Sequence, residues 1–571
     1  MLLPSAVRML AAFSVLILLT ACQQRSEPHA FYVSNSGNDH ADGLSRESAW
    51  RTLERLNRCD LIPGDSILLE AGGTWRETLY IRHSGNAGRP LVFSRYGQGS
   101  NPRILGSEVC LEWKPSGIPG VWKSTERVKD PFRGRYDAEL FFVDRQGEIF
   151  WGFRKRDGDN PEELKEEFEW THRRGHLYIY SGSDPGKRFS AIENPERKSC
   201  IRTRKWRPAG DIEISGIDLF FSRSMGFDGG WSGTRAENLV FRHMHVGWIG
   251  VKGGDASYGL SVAHSGLLVE NCEINDCGRR GISYNLYSPK ILDITPAGWL
   301  LEKLAELNIL PRNRIHRNIV VRNCRFRNGQ HTTSLDLAAM PGCRRSVITD
   351  VWFYNNLVEE DSNLVVGVRN NHTSNQLFIQ AGGAQINNIY IYNNLFKGAT
   401  GRHILTEGGD TVYVWNNTIY GFNQNGIPPP YASASFNFTR WVDLRNNIFY
   451  LDLPPEIEDH GVLMFFRESS YLRKDYNLYY QKFPEKNFTG GYHGYFNASE
   501  WKNYLQTCPD FDQHSPEPCD PLFEMHDFQF ALSKFSVARG AGERIEQIDR
   551  DLYNNPVTFP PSLGAVQYKG E

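Results

Sequence analysis

The stretch IGVKGGDASYGL, residues 249–260, sets a base and an acid three residues apart, Lys252 and Asp255, with Gly253 and Gly254 between them. Paired glycines suit a sharp turn. Asp255 is therefore either a turn former or a carboxylate lifted onto the rim of a binding surface. The chemistry open to it is acid–base work by a pair of carboxyls, one protonated and one charged. Related segments recur along the chain: MGFDGG, WIGVKGG, RGISYN, TSLDLA, VVGVRN and HILTEGG. Setting Gly226, Gly250, Gly281, Ser334 and Gly367 as a common position brings Asp228, Lys252, Ser283, Asp336 and Arg369 into one outward column. Like charges stacked at strand spacing repel, whereas mixed acids and bases suit a carbohydrate groove. A slip of one residue would turn the whole column inward. Asp255 and Asp336 are the leading acids, followed by Asp276, Asp361 and Glu407. Lys252, Arg280, Arg369, His264 and Asp228 are expected to bind substrate, as is Glu407 if it does not act as an acid. Positive charges there would hold one carboxyl ionised. His243 and His245 lie in the same region of the sequence.

The elements that must carry these residues show as a repeat. The series IEISGIDL, LVFRHMHV, LLVENCEI, IVVRNCRF, VWFYNNLV, IYIYNNLF, VYVWNNTI and VDLRNNIF alternates apolar and polar residues with period two, as strands do. Asn-Asn then breaks the alternation, because Asn tolerates a left-handed backbone. Markers at Ser215, Arg242, Asn271, Asn323, Asn355, Asn393, Asn416 and Asn446 are spaced 27, 29, 52, 32, 38, 23 and 30 residues apart. Such a period indicates a parallel β-solenoid, with equivalent side chains stacked about 4.8 Å apart on successive coils. An Asn ladder would satisfy its amides along that stack. Cys272 and Cys324 share one corner position on consecutive coils and read as small buried ladder members.

The opening FYVSNSGNDHADGLSRESAWRTL and the close FALSKFSVARGAG…LGAVQY resemble those of secreted right-handed parallel β-helix proteins of the pectin-lyase-like superfamily. The resemblance covers nearly the whole mature chain and implies an all-β, right-handed parallel β-helix. It carries an inserted small β-domain and one short helical insertion. The expected organisation is N-terminal coils and cap at 30–107, the insert at 108–200, central coils at 201–480, and loop-rich C-terminal coils at 481–571. The helical insertion, at about 289–313, contains ITPAGWLLEKLAELNIL, with Thr295 as N-cap and Pro296 in the first turn. A narrower resemblance joins VKGGDASYGLSVAHSGLLVENCEINDCGRRG to proteins similar to glycoside hydrolase family 141. The matching positions are Gly253, Gly254, Asp255, Glu270, Asn271, Ile274, Asp276, Gly278 and Arg279. The family's later Asp-x-Gly…Gly-Arg-Asp region is met in part, by Asp361 and by Gly367-Val368-Arg369-Asn370.

Bulk composition narrows the classes. With 64 Lys+Arg against 66 Asp+Glu, a net charge of −2 over 571 residues gives no nucleic-acid footprint. The N-terminal MLLPSAVR, the apolar MLAAFSVLILL and LTAC resemble a bacterial lipoprotein signal. On that resemblance residues 1–22 are the signal, Cys22 is lipidated, and Gln23 favours the outer membrane of the cell envelope. Ten cysteines, nine of them beyond Cys22, show no paired spacing of the zinc type, and Cys508 with Cys519 form a plausible pair. No metal or other cofactor is implied. The partners expected are a polysaccharide substrate and the membrane. Two other functions fit the same fold. One is a polysaccharide lyase or uronate epimerase using Lys252 with Arg280 or Arg369. The other is a non-catalytic polysaccharide-binding lipoprotein.

Overall fold

The structure is a computed structural model that describes residues 27–568, apart from 111, 133–136, 156–157, 205–208, 231–235, 255, 287–314, 340–345, 362–373, 383, 423–431, 453–461, 492–493 and 527–528. Cys22, Asp255, Arg369 and the helical insertion all fall outside the described residues.

Each coil contributes one strand in turn to three long sheets, which are parallel throughout except for the last strand of the third. Among the described residues, the first sheet has 12 strands, from Ala30–Val33 to Tyr471–Asp475. The second has 11, from Thr74–Trp75 to Leu478–Gln481, and the third has 12, from Leu79–Ile81 to Phe496–Asn497. The fold is a right-handed parallel β-helix. Period-two patterning drives it: in Ile212–Ser215, for example, Ile212 and Ile214 point inward while Glu213 stays half-exposed. One apolar core runs from Phe31 to Cys508 along the axis, so each coil buries its face against its neighbours.

The corner between the first and second sheets carries the Asn ladder. The first Asn of each pair takes the left-handed backbone, with φ of 54° at Asn355, 52° at Asn393 and 49° at Asn416. The second Asn turns inward. Asn394 Nδ2 donates to the Phe353 carbonyl at 2.9 Å and to Asn417 Oδ1 at 3.0 Å. Its own Oδ1 accepts the backbone N–H of Asn356 at 2.9 Å. Asn417, Asn447 and Asn477 repeat the arrangement. Cys272 and Cys324 occupy the inward position on earlier coils, and both are buried. The register departs from the sequence alignment at two corners. Ser215 and Arg242 pair in line with Glu270, one residue before Asn271. The left-handed positions there are Gly216 and His243, because those coils have no Asn to mark the bend. Cys508 and Cys519 both carry free thiols, so the pairing expected of them is not made.

Residues 107–195 leave the coil as a four-stranded and a five-stranded sheet around Trp170, Leu140 and Ile179. This insert docks on the second sheet through Phe141 and Trp151, which pack with Phe220, Phe221 and Trp248. At the far end the helix Trp501–Thr507 buries Trp501 and Tyr504 against the last coil.

Candidate active site

The third sheet presents the outward column expected of a groove. Strand register aligns Tyr80, Arg202, Asp228, Ser261, Ser283, Asp336, Phe378, Leu405 and Ser435. Asp228, Ser283 and Asp336 therefore stack as the sequence column predicted. Lys252 does not belong to it, because Ser261, on the strand Tyr258–Val262, holds that rung. Lys252 lies instead in the turn after His245–Ile249. Gly253 takes a φ of 69° there, and its N–H donates to the Gly278 carbonyl at 2.8 Å. That bond locks the turn onto the corner of the next coil.

Asp336 is the acid of this column with the most partners. Its carboxylate is fully buried, and Oδ2 lies 2.7 Å from Nε of Arg280 on the preceding coil. The angle falls short of a hydrogen bond, so the contact is an ion pair. Oδ2 also accepts Thr332 Oγ1 at 3.1 Å and lies 3.3 Å from His331 Nδ1. Oδ1 is buried and, among the described residues, has no hydrogen-bond partner. Burial alone would raise this carboxyl, but the Arg280 charge and His331 outweigh it and hold the pKa below the usual carboxylate value. His331 is itself pushed down by burial, against the opposing pull of Asp336. Arg280 lies over the Tyr258 ring at 5.4 Å. The Asp336 carboxyl is thereby fixed between Arg280, Thr332 and His331.

Asp276 sits at the corner where the second sheet hands over to the third, four residues before Arg280, with a φ of 49°. Trp151 Nε1 of the insert reaches its Oδ1 at 3.4 Å, and Asn275 Nδ2 donates to Oδ2 at 2.8 Å. Burial raises its pKa, with these donors opposing. Lys252 Nζ lies 5.6 Å from the Trp151 ring and 5.7 Å from Phe153. Its pKa is lowered by burial, against the attraction of Asp276 and Glu139. The insert therefore walls this corner and desolvates both groups.

The other residues named from sequence disperse. Asp228 Oδ2 pairs with Lys198 Nζ at 2.7 Å. Glu407, farther along the same sheet, accepts Gln380 Nε2 at 3.0 Å. Asp361 accepts from Asn328 and Arg327 on the second-sheet side. His264 faces into the coil, where its Nε2 meets the Ala209 carbonyl at 3.0 Å and burial lowers its pKa to about 4. It therefore does not stand in the outward column. His245 bonds to Asn275 Oδ1 at 2.5 Å on the second sheet. Sequence reading missed His331, five residues before Asp336 in HTTSLD; the Asp column marked the strand but not its approach. It also missed Glu360, buried beside Thr333 and Thr400, whose carboxyl burial pushes up to about 7.

No family model matches the chain. Over 72 residues it is 40% identical to a lacto-N-biosidase of Bifidobacterium longum, a match covering 12% of this chain and 4% of that protein. Over 91 residues it is 31% identical to the uncharacterized protein YwoF of Bacillus subtilis, covering 16% and 19%. The chain thus spans only a small fraction of either relative. Among solved structures, a complex of XylC with xylose superposes with a TM-score of 0.47 at 14% identity, covering 95% of this chain and 99% of that one. The pectate lyase Pel9A does so with a TM-score of 0.45 at 13% identity, covering 96% and 98%.

Proposed function

We propose that this protein is a carbohydrate-active enzyme that hydrolyses glycosidic bonds of a polysaccharide lying along the third-sheet groove. The observation that carries the reading is the opposite treatment of two carboxyls. Asp336 is held charged by Arg280, while Asp276 is pushed toward its protonated form by burial. Carboxyls driven apart in this way are what acid and base roles require. Asp276 then donates a proton to the leaving oxygen, and Asp336 stabilises the developing cation or activates the nucleophile. Asp255, three residues beyond Lys252 in sequence, is a further acid for the same step. The short likeness to a lacto-N-biosidase agrees with this reading. Anchoring of the protein to the bacterial cell envelope, at the outer membrane through lipidated Cys22, is part of the proposal; loss of radiolabelled palmitate from a Cys22→Ala variant tests it.

One observation favours a second reading. The desolvated Lys252, with its lowered pKa, has the properties of a base that removes a proton beside a uronate carboxylate. Incubation with glycan panels separates the two. Reducing ends without an ultraviolet-absorbing unsaturated product support hydrolysis, and the absorbing product supports a lyase. Binding with neither product identifies a non-catalytic polysaccharide-binding protein.

A further inference from the structure

The groove does not end at Asp336. Its outward column runs back through Ser283, Ser261 and Asp228 to Arg202 and Tyr80, near the N-terminal end of the helix. Four strand steps separate Asp336 from Arg202, about 19 Å at strand spacing. At that end the guanidinium of Arg82 lies 4.9 Å, and that of Arg202 4.7 Å, from the centroid of the Tyr80 ring. Arg82, Arg202 and Arg204 are exposed. Among the described residues none of the three has an acidic partner. The nearby acids are engaged elsewhere: Asp228, on the rung next to Arg202, pairs with Lys198, and Asp60 faces His83 at 3.8 Å. Two like charges are gathered on one ring in a protein whose net charge is −2. Packing against the ring restrains the guanidinium planes and leaves their N–H edges open for oxyanions.

We propose that this end of the groove is an anion subsite and that the glycan it takes is polyanionic, bearing carboxylate or sulfate groups read by Arg82 and Arg202. This rests on the reading of the third-sheet face as a polysaccharide groove, and it names the substrate class. The guanidiniums grip acidic groups several sugars away from Asp336 and set the register of the chain.

The test is affinity electrophoresis of the mature protein in gels containing polygalacturonate, dextran sulfate or neutral dextran. Alongside it run Arg82→Ala/Arg202→Ala and Arg82→Lys/Arg202→Lys, with melting temperatures to show that each folds. The expected result is retardation by at least one polyanion and not by dextran. Binding should be at least about tenfold weaker in the double Ala variant, intermediate in the Lys variant, and lost in high salt. The polymer retained distinguishes carboxylate from sulfate recognition. Equal binding of dextran, unchanged binding by the double Ala variant, or no binding of either polyanion overturns the subsite. Reducing-end release is measured separately on the same panel. Cleavage of neutral glycans by a double variant that matches the parent refutes the subsite and leaves the hydrolase reading intact. Arginine-dependent binding without cleavage refutes the hydrolase reading and leaves the subsite.

Discussion

Arg280 and Asp336 stand on consecutive coils of the third sheet and meet at 2.7 Å, with Asp336 fully buried and Arg280 only 9% exposed at its side chain. The pair joins two coils of the third sheet and favours the charged form of Asp336. Removing one member of a buried pair costs about 3–5 kcal/mol, because the other is left uncompensated. Arg280→Ala should therefore lower the melting temperature at neutral pH. The folded pKa of Asp336 is depressed, so its contribution is present above the unfolded value of 3.8 and is lost as pH falls through the folded value. In Arg280→Ala the carboxyl is unpaired, its pKa rises, and the deficit should shrink on acidification. Melting curves at acid and neutral pH check this; a deficit independent of pH would refute it.

Asp276→Asn and Asp336→Asn should each reduce glycan cleavage by about 10²–10⁴-fold, the range for loss of acid–base assistance. Since Asp276 acts protonated, parent activity should fall on the alkaline side as it ionises. Trp151 steadies the ionised form through its N–H, so Trp151→Phe should move that limb upward, by less than about one unit. A pH–rate profile unchanged by Trp151→Phe would remove Asp276 from the acid role.

Glu360 gives a separate pH effect. Its pKa rises from 4.5 to about 7 on folding, so its contribution is fully present below the unfolded value and is lost as pH rises through 7. Glu360→Gln keeps the hydrogen-bonding shape without the charge. It should abolish a stability loss on the order of 3 kcal/mol between pH 4.5 and 7. Unfolding of both proteins across that interval, with the parent showing no steeper dependence than the variant, would count against the assignment.

The Asn ladder should be costly to interrupt. In Asn394→Ala the Phe353 carbonyl loses the Asn394 amide and the Asn356 backbone N–H loses its acceptor inside a buried corner. Each unsatisfied buried group costs about 1–3 kcal/mol. The variant should be destabilised by at least about 2 kcal/mol, measured by thermal or denaturant unfolding, while Asn388→Ala on the same coil, whose half-buried amide bonds to Asp350, should cost less.

The solenoid was legible in the sequence because its causes are local. Period-two strands repeat along the coils and left-handed Asn corners on most of them, and each coil needs only its neighbours. The column Asp228–Ser283–Asp336 was legible for the same reason, since equal position in a repeat means vertical stacking. Only the tertiary structure decided what lies between strands. It moved Lys252 out of the column, because the Gly253 turn lengthens that corner before the next strand begins. It turned His264 inward, where no spacing rule could show that Ala209 receives it. It brought Trp151 of the insert to Asp276, 125 residues away in sequence, in a corner where burial raises that carboxyl and the Trp151 N–H opposes it, while Arg280 lowers Asp336. Charge state depends on burial and on partners from other coils, and neither is written in the local pattern.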